Sequence, residues 1–140
     1  MAATFGSTDW ADALKQKINS SEEYREAADQ WGVDFNGDIL FVFESDDEAA
    51  KQQALMLQLK GGACQGAEFV QPDKTPDAGF VLSGPMHLWR EILERKTMAA
   101  TAILTGKLKV EGERMKLLKH ADANRALIHC TASVETGWER

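Results

Sequence analysis

The sequence predicts an α+β fold: a five-stranded, mainly antiparallel sheet with helices packed on one main face. Three observations carry this. The spacing of apolar residues changes along the chain from the helical period of about 3.6 to the strand period of 2 and back, so both element types are present. The Gly61-Gly62 turn leaves too few residues for a crossover, which makes the strands it joins antiparallel. Residues 97–119, TMAATAILTGKLKVEGERMKLLK, join a small-apolar run, an alternating strand and a helical segment with almost no linker. So small a unit must bury its apolar faces against a sheet made elsewhere.

Taken in order, residues 1–6 form a loose tail. Ser7 or Thr8 caps a first helix, with Asp9 and Asp12 favourable in its first turn. Trp10, Leu14 and Ile18 lie four apart and give that helix one apolar stripe. Ser20 and Glu23 make a capping box for a second helix running to about Trp31, which buries Tyr24, Ala27, Ala28 and Trp31 and stops at Gly32. After an Asn36-Gly37 turn, 39–43 is apolar on both faces, hence a strand covered on both. Residues 45–53 form an exposed acidic loop. In the next strand, 54–60, Leu55, Leu57 and Leu59 share one face, and Met56, Gln58 and Lys60 the other.

Gly61-Gly62 is a turn into a weaker strand, 67–71. A polar loop, 72–77, leads to a fourth strand, 78–83, with Phe80 and Leu82 on one face. Pro85 suits the first position of a helix over 86–96, where Leu88, Trp89, Ile92 and Leu93 make a broad stripe. Residues 98–104 are apolar on all sides, which predicts a helix buried all round. Gly106 is a left-handed stop, 107–111 is the fifth strand, and 113–119 returns to helical spacing with Met115 and Leu118 three apart. A last helix, 122–133, carries Leu127, Ile128 and Cys130, and 135–140 is a second loose tail. With no internal repeat or composition break, 140 residues predict one domain.

Bulk charge limits the partners. The formal net charge is −6, which argues against nucleic acid. It also disfavours electrostatic docking on an anionic membrane, except through a local basic patch, so transient membrane contact stays open. The two cysteines, Cys64 and Cys130, lack metal spacing and suit a reducing, cytoplasmic setting. No apolar run approaches a membrane span. The first residues have neither a basic start nor an apolar core, so no secretory leader is expected.

A catalytic set is not legible. His87, His120 and His129 fall in separate elements, and none pairs with a carboxylate at metal-ligand spacing. Neither cysteine shows the base and orienting group that a nucleophile needs. The glycine pairs lack the Walker and Rossmann patterns, and the acidic 44–48 run lacks the EF-hand glycine and glutamate. No metal, no cofactor and no enzymatic activity are expected. What remains is apolar material between residues 86 and 118, which by periodicity alone is an ordinary core.

One pattern changes that balance. Gly106-Lys107-Leu108-Lys109-Val110-Glu111-Gly112, after a small-apolar helix and a Leu-Trp-x-x-Ile-Leu helix and before a Met/Leu helix, resembles the end of a sterol carrier protein type 2 domain. The order of elements fits this family from about Trp10 to about Ile128. The resemblance implies helices, three strands, a crossover to a fourth, a helical insert and a fifth strand. It also implies an apolar tunnel between sheet and helices that holds a sterol, fatty acid, fatty acyl-CoA or phospholipid without acting on it. Trp89, Leu93, Met98, Ile103 and Leu104 are then the central lining residues. Leu88 and Ile92 join them from the same helix, Met56, Phe80 and Leu82 from the sheet, and Ala102, Met115 and Leu118 from the last segments. Ala99, Ala100 and Ala102 leave space, and methionines adapt to a ligand. The chain does not end in the SKL tripeptide, so a peroxisomal address gains no support.

Two other classes remain open. An enzyme or enzyme accessory in lipid metabolism would show an organised Cys/His or carboxylate pair in the pocket. A protein-interaction module with a filled core would present Trp10, Trp31 or Trp138 at its surface.

Overall fold

The computed structural model describes residues 3–33, 35–44, 53–70, 78–134 and 136–137. Its elements are β1 (Ala3–Thr4), α1 (Thr8–Ser20), α2 (Glu22–Ala27), β2 (Ile39–Glu44), β3 (Gln53–Lys60), β4 (Ala63–Val70) and β5 (Phe80–Pro85), then α3 (Met86–Leu93), α4 (Ala99–Leu104), β6 (Lys109–Glu111), α5 (Arg114–Lys119), α6 (Ala121–Ala132) and β7 (Thr136–Gly137). The loops expected at 45–53 and 72–77 lie outside the described residues, save Gln53, which begins β3. So does Trp138.

Five strands form the main sheet in the order β4-β3-β2-β5-β6. Three of its four pairings are antiparallel, and β2 with β5 is parallel. The sheet is therefore mixed. The cause is topological: β3 already occupies one side of β2, and β5 arrives after a crossover on the other side in the same direction as β2. The β3–β4 turn forms where the sequence places it, with Gly61 at φ 61° and Gly62 at φ 86°, the double left-handed step that suits a two-residue hairpin. The strand it opens begins at Ala63, four residues earlier than expected, because ladder pairing with β3 extends beyond the apolar stretch of β4.

The main face of the sheet carries Ile39, Phe41 and Phe43 from β2 and Leu55, Leu57 and Leu59 from β3, packed with the buried stripes of α1, α2, α3 and α6. Leu40, Ala54 and Met56 cluster on the opposite face with Val42, Val70 and Val81. Both faces of β2 are thus apolar and buried, as its sequence predicts.

Local chemistry holds the irregular places. The β3–β4 ladder shifts register between Gln58 and Leu59. There the Leu59 N–H donates to Asp38 Oδ1 at 3.2 Å. At the β4 edge, Asn19 Nδ2 donates to the Cys64 carbonyl at 3.0 Å, and the Cys64 N–H donates to Asn19 Oδ1 at 2.8 Å. The amide imitates a neighbouring strand and blunts that edge.

Several expectations need correction. Residues 3–6 are not a loose tail. Ala3 and Thr4 pair in parallel with Thr136 and Gly137, so residues 136–137 of the second expected tail are held in a strand too. Phe5 is buried, its ring about 5 Å from those of Trp10 and Phe43, and the Trp10 indole N–H donates to Thr136 Oγ1 at 2.9 Å. A loose end would leave the Phe5 ring in water. The N-cap of α2 is Ser21, not Ser20: its hydroxyl accepts from the Tyr24 N–H at 3.0 Å. That helix ends at Ala27 and continues to Trp31 only as turns. Helix α3 stops at Leu93, and Arg95 takes a left-handed φ of 62°.

Helix α4 is not buried all round. Ala102 is buried, Ile103 is half-buried, and Thr101 and Leu104 are exposed. Apolar density in a sequence does not state how many neighbours an element will have, and α4 is a short helix at the margin of the sheet. The side chains of Ala99, Ala100 and Leu118 lie outside the described residues.

Candidate functional site

The segment from β5 to α5 is built by a chain of local decisions. Pro85 ends β5 and serves as the N-cap of α3 with φ −65°, the ring's natural value. The chain therefore turns directly from strand into helix, and the apolar stripe of α3 falls back on β2. Trp89 is the pivot. Its indole N–H donates to the Val42 carbonyl at 2.9 Å, and its ring lies 5.0 Å from both Phe41 and Phe43. Leu88 and Ile92 are buried beside it, and Leu93 nearly so. Leu82 pairs with Phe41 on one side and Val110 on the other, so β5 carries this apolar wall from β2 to β6.

Helix α4 and β6 meet this wall through few bonds. The Leu108 N–H donates to the Ala102 carbonyl at 3.0 Å, which folds the start of β6 back on α4. Gly106, between them, has φ 77°. This is the left-handed stop the sequence predicts, and a β-carbon there would meet nothing within 4 Å. Leu108 is buried where the alternating pattern expects it.

The expected lining residues thus fall into three groups. Leu82, Leu88, Trp89, Ile92, Leu93 and Ala102 come together in the main core, with Ile103 half-buried against it. Phe80 belongs to the same core but at the far end of β5, where it stacks with Trp31 at 5.0 Å. Met98, Leu104 and Met115 stand outside, 67%, 81% and 75% exposed. Met56 lies across the sheet from Trp89, in the cluster with Leu40 and Ala54, so the sheet separates it from the others. It also borders a polar cleft of about 210 Å³ with Asp12, Lys15, Gln58, Gly66, Ala67 and Glu68. That cleft has none of the α3 or α4 residues in its walls.

The wall itself is closed. Trp89 and Ile92 expose 1% of their surface each, so no water-sized gap lies against either. Every buried side-chain nitrogen and oxygen among the described residues has a hydrogen-bond partner. Helix α3 and its sheet partners thus present hydrocarbon with no waiting polar group.

Nucleophilic chemistry finds little here. Burial pushes the Cys64 thiol up to about 11, and burial likewise raises Cys130; both remain protonated near neutral pH. Burial, with Cys64 and Cys130 as neighbours, raises the Tyr24 hydroxyl further still. His129 faces Glu23 at 3.4 Å in an exposed pair, and His120 packs edge-on against Trp31. Among the described residues no group of three or more His, Cys, Asp or Glu side chains could hold a metal, and no helix is long and apolar enough to cross a membrane. Trp10 and Trp31 are fully buried, so neither offers the surface an interaction module would need.

The sequence missed the α4 surface. Its small, apolar residues gave the same signal as a core helix. The usable sign was position: α4 lies between Lys96 and Lys107, with a cation on either side.

The SCP-2 sterol transfer family profile matches residues 11–123. The chain is similar to a crystal structure of sterol carrier protein 2, at 31% identity and a TM-score of 0.82, over 93% of this chain and 98% of that one. It is also similar to the solution structure of a Thermus thermophilus protein described as a possible sterol carrier protein, at 30% identity and a TM-score of 0.82, over 98% and 94% of the two chains. Apo sterol carrier protein 2 of Yarrowia lipolytica shares the fold at 22% identity and a TM-score of 0.55, over 95% and 97%. No curated protein sequence gives a significant match.

Proposed function

The chain belongs to the SCP-2 sterol transfer family, and from that premise we propose that it binds and carries one hydrophobic, lipid-like ligand without transforming it. The observation that carries this reading is the unequal burial of α3 and α4. Leu88, Trp89 and Ile92 are clamped to the sheet, whereas α4 offers Ala102 and half of Ile103 to the same wall and leaves Leu104 outside. The ligand chain enters between α3 and α4 as α4 moves outward. Leu82, Leu93 and Ile103 then contact it, and Met98 and Leu104 form the mouth.

Each methylene transferred from water into that space gains about 0.8 kcal/mol. With every buried polar side-chain atom among the described residues already partnered, a head group stays at the mouth while the hydrocarbon goes in. The ligand class is the family's: sterol, fatty acid, fatty acyl-CoA or phospholipid. Free, buried cysteines suit carriage in a reducing cytoplasm.

Titration with a fluorescent fatty acid or sterol analogue tests this. Saturation at one site is expected, with a negative heat-capacity change and little dependence on salt. Leu93→Arg places an unpaired charge in the wall and should abolish binding or unfold the protein. Ile103→Trp separates a ligand site from a solid core. It should block the probe and leave stability nearly unchanged. A wild type that binds no probe, together with an Ile103→Trp variant destabilised by about 1–3 kcal/mol through overpacking, overturns the reading.

A further inference from the structure

We propose that the β6 edge of the sheet, with α4 and α5 at its two ends, is the face by which this protein docks on an anionic lipid bilayer. Two independent observations meet there.

The first is charge. Residues 95–119 contain Arg95, Lys96, Lys107, Lys109, Arg114, Lys116 and Lys119 against Glu111 and Glu113, a net +5. The whole chain is −6, so everything outside this segment carries −11. Lys107, Lys109 and Lys119 are exposed and make no ion pair with another described residue. Lys116 reaches Glu113 at 3.6 Å and lies over the Phe35 ring at 4.6 Å. An anionic leaflet attracts cations near its surface. The acidic remainder is repelled, which turns this edge toward the bilayer.

The second is apolar exposure. The exposed large apolar side chains among the described residues are Val33, Met98, Leu104 and Met115. The three most exposed fall in the same 25-residue segment as the cations. Met98 caps the start of α4, Leu104 ends it, and Met115 is in the first turn of α5. Flexible apolar side chains among lysines are the composition of an interfacial anchor. They enter the acyl boundary while the lysine heads stay at the phosphate level.

Topology places both sets on one margin. β6 is the last strand of the sheet, and no described strand pairs with its outer edge. Lys109 and Glu111 alternate with Val110, which packs on the main core, so they stand on the other face of the strand. The net −6 of the whole chain hides this local reversal of sign.

The test is vesicle binding measured without any carried ligand, so its outcome is independent of the carrier reading. Because Cys64 and Cys130 are buried, a new surface cysteine takes a label selectively. Leu104→Cys and, as a control on the far side of the fold, Lys17→Cys are labelled with an environment-sensitive dye. Each is mixed with vesicles of phosphatidylcholine alone or of phosphatidylcholine with phosphatidylserine.

The expected result is a blue shift at position 104 only, on anionic vesicles only, reversed by salt. In flotation, Lys107→Glu with Lys109→Glu should weaken binding by roughly tenfold or more. Met98→Ser with Leu104→Ser should weaken it too, with both double variants melting like wild type. No binding to anionic vesicles overturns the proposal. So does a shift at position 17 equal to that at 104, or binding that both double variants retain. Capture of an acidic protein by this edge without vesicle binding would assign the surface to that partner instead.

Discussion

The α1–α2–α6 side of the molecule and the α4–β6–α5 edge use the same kinds of residue to opposite ends. On the first side Trp10, Leu14, Ile18, Tyr24, Trp31 and Leu127 are all buried in one core. Trp31 is 1% exposed, donates its indole N–H to the Gly37 carbonyl at 2.8 Å, meets Phe35 and His120 edge-on, and lies tilted against Phe80. Phe5, Trp10, Phe43 and Phe69 form a second aromatic knot, which the Trp10 indole N–H joins to Thr136 near the other end of the described chain. At the edge, Met98, Leu104 and Met115 find water. The difference teaches that apolar content alone does not measure contribution to stability. One side secures the fold, and the other is left under-buried.

The largest effect should come from breaking the buried side. Trp31→Ala removes a fully enclosed ring and should cost about 3–5 kcal/mol, read from the midpoint of urea unfolding. A loss under 1 kcal/mol would mean that this side is not the secured one.

Alkali should act on the same side. Burial raises the Cys64 thiol from 9.0 to about 11 in the folded state. The group is neutral in both states below about pH 9, so its full contribution is present there. As pH rises toward 11 the unfolded chain ionises first, and stability falls by on the order of 2–3 kcal/mol. Tyr24 and Cys130 are shifted in the same direction. Unfolding curves at pH 8 and pH 10.5 should therefore separate, and Cys64→Ala should bring them closer. If Cys64→Ala leaves the separation unchanged, that thiol is not the source.

At the edge, Gly106→Val should cost about 1–3 kcal/mol from the left-handed φ alone, since its side chain would meet open space. Gly106→Asn should recover much of that, because asparagine tolerates this region. Equal melting of the Val variant and wild type would refute the backbone account.

Smallest of all, Leu104→Ser should change stability by less than about 0.5 kcal/mol. The same leucine-to-serine change at buried Leu14 should be severe. Leu104→Ser as damaging as Leu14→Ser would erase the contrast between the two regions.

Much of the architecture was legible because it depends on near neighbours. The i, i+4 stripe of Trp10, Leu14 and Ile18, the Gly61-Gly62 turn and the Gly106 stop all formed where the sequence puts them, while Pro85, expected at the first position of α3, is one residue earlier as its N-cap. Of the residues expected to line a site, those on α3 were legible as buried for the same reason: their stripe is helical and faces the sheet. Met98, Leu104 and Met115 were legible as apolar but not as exposed. Met56 was legible as facing away from Leu55 and Leu57, yet which of the two faces holds a site is not a local property.

By itself, then, the sequence determined the element types, most of their boundaries, the two-sided burial of β2 and the family pattern around Gly106. Periodicity, caps and glycine conformation act within a few residues, and the sequence states them directly. Only the tertiary structure decided that β5 runs parallel to β2, that the two ends meet as β1 and β7, and that α4 lies at a margin with Leu104 in solvent. Those outcomes depend on contacts between residues far apart in the chain, such as Trp10 with Thr136 and Trp89 with Val42. No local pattern records which distant segment will arrive to fill or leave open a given face.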